Sequence, residues 1–367
     1  MKYLWTLAVL FLSNFLTAQE SENPLFSSFE NYKKAKENTP FQVKWISAGP
    51  VTNSARVEAL QGDPNQPGTM YVAFGSGNLW KTTNNGLDWK PIFENQPTLG
   101  IGDIAIAPSN SEILYLGTGE SLRKNRNFTM PGTGVYRSDD GGETWRHLGL
   151  EETWHIGEIV VHPHNPDIVF VAAMGKFWSE STSKGIYRTI NGGKDWERVL
   201  YINENTRAND IVIAHSNPKI VYASMWENND NANIAESVYG PNSGIYYSSD
   251  GGSTWKRSKT GLPDDPKIGR IGLAVSYQNA QKVYALMDNR NETEGNSAEV
   301  YQSLNGGVTW KKSHNDTLRI FPGNNIGWYF ADIYVSPTND EEIYSLGVRM
   351  AHSQDGGKTF STVGGNI

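Results

Sequence analysis

The chain has 367 residues, no cysteine and a formal net charge of −7. That charge repels a phosphate backbone and argues against nucleic acid as a partner. The missing cysteines exclude a disulfide framework and a lipid-modified cysteine.

Residues 1–18 read as an export signal. Lys2 supplies the positive charge, Leu4 to Leu16 is mostly apolar, and Ala18 is a small residue at the expected cleavage point. The apolar stretch is shorter than the ~20 residues that span a bilayer. The expectation is therefore an exported protein (periplasmic, cell-surface or secreted) with no membrane span once the signal is removed. Residues 19–40 are mostly polar and read as a linker or a short helix.

From residue 41 to residue 367 the chain repeats itself. One octapeptide recurs six times: Ser or Thr, any residue, Asp or Asn, any, Gly, any, Thr or Asp, aromatic. Its Asp/Asn and aromatic positions are Asn84 and Trp89, Asp140 and Trp145, Asn191 and Trp196, Asp250 and Trp255, Asn305 and Trp310, and Asp355 and Phe360. A period of roughly fifty residues is that of a propeller blade rather than a helical repeat. The second unit reads as four strands: Ile101 to Ala107, Ile113 to Gly117, Gly134 to Arg137 and Thr144 to Leu148. The third and fourth units repeat this. The 37 glycines and the many aromatics suit short strands, tight turns and large buried rings. The fold expectation is all-β: a β-propeller of four-stranded blades, with the octapeptide as the hairpin between third and fourth strands and its aromatic tucked between sheets.

This octapeptide resembles the Asp box, or bacterial neuraminidase repeat, of sialidases, xyloglucanase-type glycoside hydrolases, sortilin-type receptors and a photosystem II assembly factor. Four further segments resemble secreted bacterial propellers similar to the sortilin N-terminal region: Trp45 to Pro50, Leu79 to Asn84, Leu116 to Glu120 and His155 to Gly157. The strand candidate Phe41 to Ile46 would complete the final blade of a seven-bladed ring, of which this chain holds six box-bearing blades and an incomplete seventh. A six-bladed ring is the alternative.

The resemblance does not carry catalysis with it, because the repeat is structural. Sialidases carry an Arg-Ile-Pro motif in the first blade. Here only Arg56 precedes the first box, and Arg319-Ile320-Phe321-Pro322 lies late in the chain. Xyloglucanase-type enzymes carry an Asp after the second strand of the first blade. Ala73 to Asn78 has no carboxylate there, and glycosidases use two. His162-Pro163-His164 reads as a solvated turn, not a metal pair, and one carboxylate per box is too few for calcium. No metal or cofactor is expected. Four long loops, between Glu120 and Gly132, Met174 and Lys184, Trp226 and Ser243, and Asp288 and Ser297, share one face. Long loops on a rigid scaffold usually carry function. The candidate ligand-binding residues are Arg123, Arg126, Trp154, His155, Trp178 and Trp226. The expected function is a non-catalytic module binding a protein or carbohydrate, with a glycoside hydrolase needing residues beyond Ile367 as the alternative.

Overall fold

A computed structural model describes residues 23–40, 56–121, 129–177, 180–228, 238–264, 266–290, 298–314, 318, 320–321 and 326–364. The signal segment, Phe41 to Ile46, Arg123, Arg126, Trp178 and Arg319 lie outside them.

The repeats form six antiparallel sheets of four strands each. Blade I holds Val57–Gly62, Met70–Phe74, Asn78–Thr82 and Lys90–Pro91. Blade II holds Ile101–Ile106, Leu114–Thr118, Val135–Ser138 and Arg146–His147. Blade III holds Ile156–Val161, Val169–Ala173, Gly185–Thr189 and Glu197–Leu200. Blade IV holds Thr206–Ile213, Val221–Glu227, Gly244–Ser248 and Lys256–Arg257. Blade V holds Ile268–Val275, Val283–Asn289, Ala298–Ser303 and Lys311–Lys312. Blade VI holds Asp332–Val335, Ile343–Leu346, Met350–Ser353 and Ser361–Val363. A helix, Pro24–Glu37, precedes them. It docks on blade II through Asn23 Nδ2, which donates to the Gly132 carbonyl at 3.0 Å, and through Phe26, edge-on to His147.

The box makes each outer hairpin the same way. In blade IV the Ser248 hydroxyl accepts the Gly252 N–H at 2.9 Å and donates to Asp250 at 2.7 Å. Asp250 in turn accepts the Thr254 N–H at 2.8 Å. The same three bonds occur in the other five boxes, as from Thr82 to Asp88 and from Ser353 to Thr359. Gly251 and Gly252 both lie at positive φ (70° and 80°), which a side chain would resist. Ser248→Ala deletes a buried acceptor and donor at once. The expected cost is about 1–2 kcal/mol in urea unfolding.

The box aromatic packs on the preceding blade. Trp145 donates its indole N–H to the Ile92 carbonyl of blade I at 2.8 Å, and Trp196 to the Leu148 carbonyl of blade II at 2.9 Å. Trp255 packs into the III–IV core, Trp310 into the IV–V core, and Phe360 sits edge-on to His314 of blade V. Tyrosines on the second strands reach the other way. Tyr115 donates to the Pro166 carbonyl of blade III, Tyr222 to Ala280 of blade V and Tyr284 to Asp340 of blade VI, at 2.8–2.9 Å.

Apolar clusters join I to II, II to III, III to IV, IV to V and V to VI. Among the described residues none joins VI to I. The strand patterns say the same. The first and second strands of blades II and V are buried at every position, as expected for sheets covered on both faces. The first strand of blade I has no buried position, and the second strand of blade I and both of blade VI alternate between buried and open positions.

Candidate functional site at the axis and the long-loop face

Each first strand begins with an irregular pairing to its neighbour in blades I to V. Bulges of this kind re-aim side chains, and here a charged residue stands at or beside each one. These residues are Glu58, Asp103, Glu158, Asp210 and Arg270, with Asp332 opening blade VI. They interact electrostatically across the ring, so the six first strands bring them to one axis.

Most of these groups tie blades together. Asp103 accepts the Ile159 N–H of blade III at 2.7 Å. Asp210 accepts the Leu273 N–H of blade V at 2.8 Å. Arg270 donates to Asp332 at 3.1 Å and to the Tyr329 carbonyl. Burial pushes the Asp103 carboxyl up to about 8, and those of Glu58 and Asp210 up to about 7. Glu158 is raised well above the usual range by burial and then by Asp103. For Glu58 burial outweighs the opposing charges of Arg270 and Arg56, because low-dielectric surroundings favour the neutral acid.

A second charged group lies beside blade I. Arg56 pairs with Glu120 of blade II, whose side chain is fully buried. Glu58 accepts the Ser121 hydroxyl at 2.9 Å. Both carboxylates crowd Gly75: a Cβ there would fall 2.6 Å from a Glu58 oxygen and 2.8 Å from the Glu120 side chain.

An aromatic cap lies beside the axial charges, and its Tyr329 carbonyl accepts from Arg270. Met174 and Phe177 come from blade III, Trp226 and Val238 from blade IV, and Trp328 and Tyr329 from the connection into blade VI. Trp226 is 3% exposed, and its indole donates to the Val238 carbonyl at 2.9 Å. His155 stacks on Phe177 with centroids 4.0 Å apart, and the Arg207 guanidinium lies 4.3 Å from the same ring. His155 Nδ1 bonds the Glu120 carbonyl at 2.9 Å. Burial, and then the Arg207 charge, hold its pKa down at about 3.

Comparison with known proteins bears on the whole assembly. Residues 133–262 match the family model for sortilin (Vps10 type, neurotensin receptor 3). A xyloglucanase of Acetivibrio thermocellus is 25% identical over 300 residues, which is 70% of this chain and 32% of that one. The solved structure of an ancestral GH74 enzyme superposes with a TM-score of 0.60 at 22% identity, covering 85% of this chain and 38% of that one. The GH74 enzyme of Niastella koreensis gives 0.59 at 19%, covering 83% and 46%. The six box hairpins are thus set in a ring whose fold is shared with these proteins. The chain is an Asp-box β-propeller. It spans at most about a third of the length of the curated relatives it matches.

Of the residues singled out in the sequence, this propeller buries Trp226 within the cap and His155 against the cap's Phe177. Trp154 alone of the described candidates stays half-exposed. Its backbone is held at φ 54°, a value bulky residues avoid, and its carbonyl accepts the Gly132 N–H at 2.7 Å. The Lys176 ammonium lies 5.1 Å from its ring. His162 is a turn cap: its Nδ1 accepts the N–H groups of His164 and Asn165. Asp63, Ser276 and Ser336 cap the matching turns. Among the described residues no group of three or more His, Cys, Asp or Glu could hold a metal ion, and no helix is long and apolar enough to cross a membrane. Sequence reasoning missed the axial charges. Their signal is a second repeat, a charged residue before an apolar one at each first strand: Glu58-Ala59, Asp103-Ile104, Glu158-Ile159, Asp210-Ile211, Arg270-Ile271 and Asp332-Ile333.

Proposed function

We propose that this propeller is an exported, non-catalytic module that binds a glycan at the rim of its long-loop face, around Trp154. The observation that carries this is Trp154 itself. A bulky residue held at positive φ is backbone strain, which clusters at functional sites. Its half-exposed indole offers an apolar face to a sugar ring, and Lys176 beside it offers a donor to hydroxyl groups. The similarity to xyloglucanases favours a glycan over a protein ligand. The axial carboxylates speak for structure over catalysis, since Asp103, Asp210 and Asp332 are each bonded to another blade.

Calorimetric titration with xyloglucan oligosaccharides tests the reading. Trp154→Ala weakens binding at least tenfold and leaves the melting temperature within a few degrees. Equal binding by both proteins contradicts it. One observation favours a second reading, hydrolysis: the Glu58 carboxyl, pushed up to about 7, lies with ion-paired Glu120 about the same glycine. A glycosidase uses one protonated and one ionised carboxyl, set on either side of the scissile bond.

A further inference from the structure

Resting on the glycan reading of Trp154, we infer that Asn23 is a positioning residue of that site. The Pro24–Glu37 helix is a strap docked on the rim. Its docking bond, passed on by Gly132, sets the backbone that presents the Trp154 ring.

The helix has no buried residue, so a core of its own does not fix it. Asn23, just before it, is 2% exposed and has two partners. Its Oδ1 accepts the Leu25 N–H at 3.1 Å, which caps the helix. Its Nδ2 donates to the Gly132 carbonyl at 3.0 Å. The start of the helix and its attachment to blade II therefore share one side chain. A second fastening falls on the next residue of the same segment. Phe26 lies edge-on to His147 with centroids 5.1 Å apart, and His147 Nε2 donates to the Thr133 carbonyl at 2.6 Å.

Gly132 carries the attachment to the site. Its carbonyl accepts from the helix cap, and its N–H donates to the Trp154 carbonyl at 2.7 Å. The packing around this glycine is close. A Cβ at Gly132 would fall 2.3 Å from the Thr118 carbonyl carbon, and one at Gly119 would fall 1.9 Å from the Trp154 oxygen. A shift of Gly132 is thus passed to Trp154 rather than absorbed between them. Trp154 is held at positive φ, a conformation that persists only where its surroundings over-determine it. Hydrogen bonds in series also strengthen one another. Releasing Asn23 therefore loosens a bond that keeps the Trp154 backbone in its strained form.

The test uses three variants of the full chain. Asn23→Asp keeps the acceptor that caps Leu25 and replaces the donor to Gly132 by a second acceptor. Phe26→Ala removes the other fastening and leaves the cap intact. Trp154→Ala marks the site itself. In calorimetric titration with xyloglucan oligosaccharides, Asn23→Asp weakens binding about three- to tenfold, the share of one hydrogen bond. Phe26→Ala weakens it in the same direction. Both melt within a few degrees of the unaltered chain, because the helix has no part in the core. Amide hydrogen exchange gives a reading that needs no glycan. In Asn23→Asp it quickens at Gly132 and over residues 150–155, while the blade strands keep their protection. Unaltered binding by Asn23→Asp and Phe26→Ala, beside weakened binding by Trp154→Ala, overturns the inference and leaves the glycan site standing. Unaltered binding by Trp154→Ala removes the glycan site instead, and exchange then decides. Faster exchange at Gly132 and over 150–155 upholds Asn23 as the holder of the Trp154 backbone, and unchanged exchange overturns it.

Discussion

Trp310→Ala lowers the unfolding free energy by about 3–5 kcal/mol, the cost of deleting a buried tryptophan, whereas Trp89→Ala costs less than about 1 kcal/mol. The two residues hold the same place in the repeat, so intrinsic propensity cannot separate them. What separates them is the neighbour. Trp310 is 5% exposed and lies in the IV–V core with Tyr222, Ile245 and Ile271. Trp89 lies in no such core among the described residues, none of which packs before blade I. Trp255, half-buried against the III–IV core, falls between them. Urea unfolding of the three variants at one pH checks this order. Equal losses for Trp89 and Trp310 contradict the packing of each box aromatic on the preceding blade.

The second large effect is on pH dependence, and its sign is unusual. The carboxyls of Glu58, Asp103, Glu158 and Asp210 keep their protons in the folded chain to about pH 7–8 or above, but lose them near pH 4 when unfolded. Between those values the folded state holds more protons, so stability falls as pH rises from about 4 to about 8. His155 acts oppositely. Its folded pKa of about 3 lies below the unfolded value, so its contribution is lost as pH falls from about 6.5 towards 3. Four carboxyls outweigh one imidazole across most of that range. Asp250, held low by the Thr254 hydroxyl and N–H, stays ionised throughout. The chain is therefore more stable at pH 5 than at pH 8.5, by on the order of a few kcal/mol. Asp103→Asn keeps an acceptor for the Ile159 N–H and removes one titrating group, so it flattens the slope. Urea midpoints from pH 4 to 9 measure both. A stability that is flat or rises over this range contradicts the axial placement of these groups.

The fold was legible because the box is a local device. Its hydroxyl, carboxylate or amide, and paired glycines bond within a few residues of one another, so spacing alone reveals the hairpin, and six hairpins at one period reveal the blades. The site was harder to read because it is not local. Trp226 sits at the start of a long loop and reads as a surface aromatic. Only the meeting of Phe177, Val238 and Trp328 from other segments turns it into part of a buried cap. His155 is likewise read from its own segment as a binding group, while Phe177 and Arg207 on either side make it a core residue. Ala73 to Asn78 holds no carboxylate, yet Glu58 and Glu120 reach Gly75 from another strand and another blade. The axial charges did leave a mark in the sequence, one charged residue opening each apolar first strand. It is fainter than the box because Asp, Glu and Arg share the position.

The separation of shape from reactivity is tested most directly by incubating the purified chain with xyloglucan and counting reducing ends. The expected result is no release above the buffer blank across pH 4–8, from a protein that binds the same polysaccharide through Trp154. Release of reducing ends that is abolished by Glu58→Gln would contradict it and place the chemistry beside Gly75.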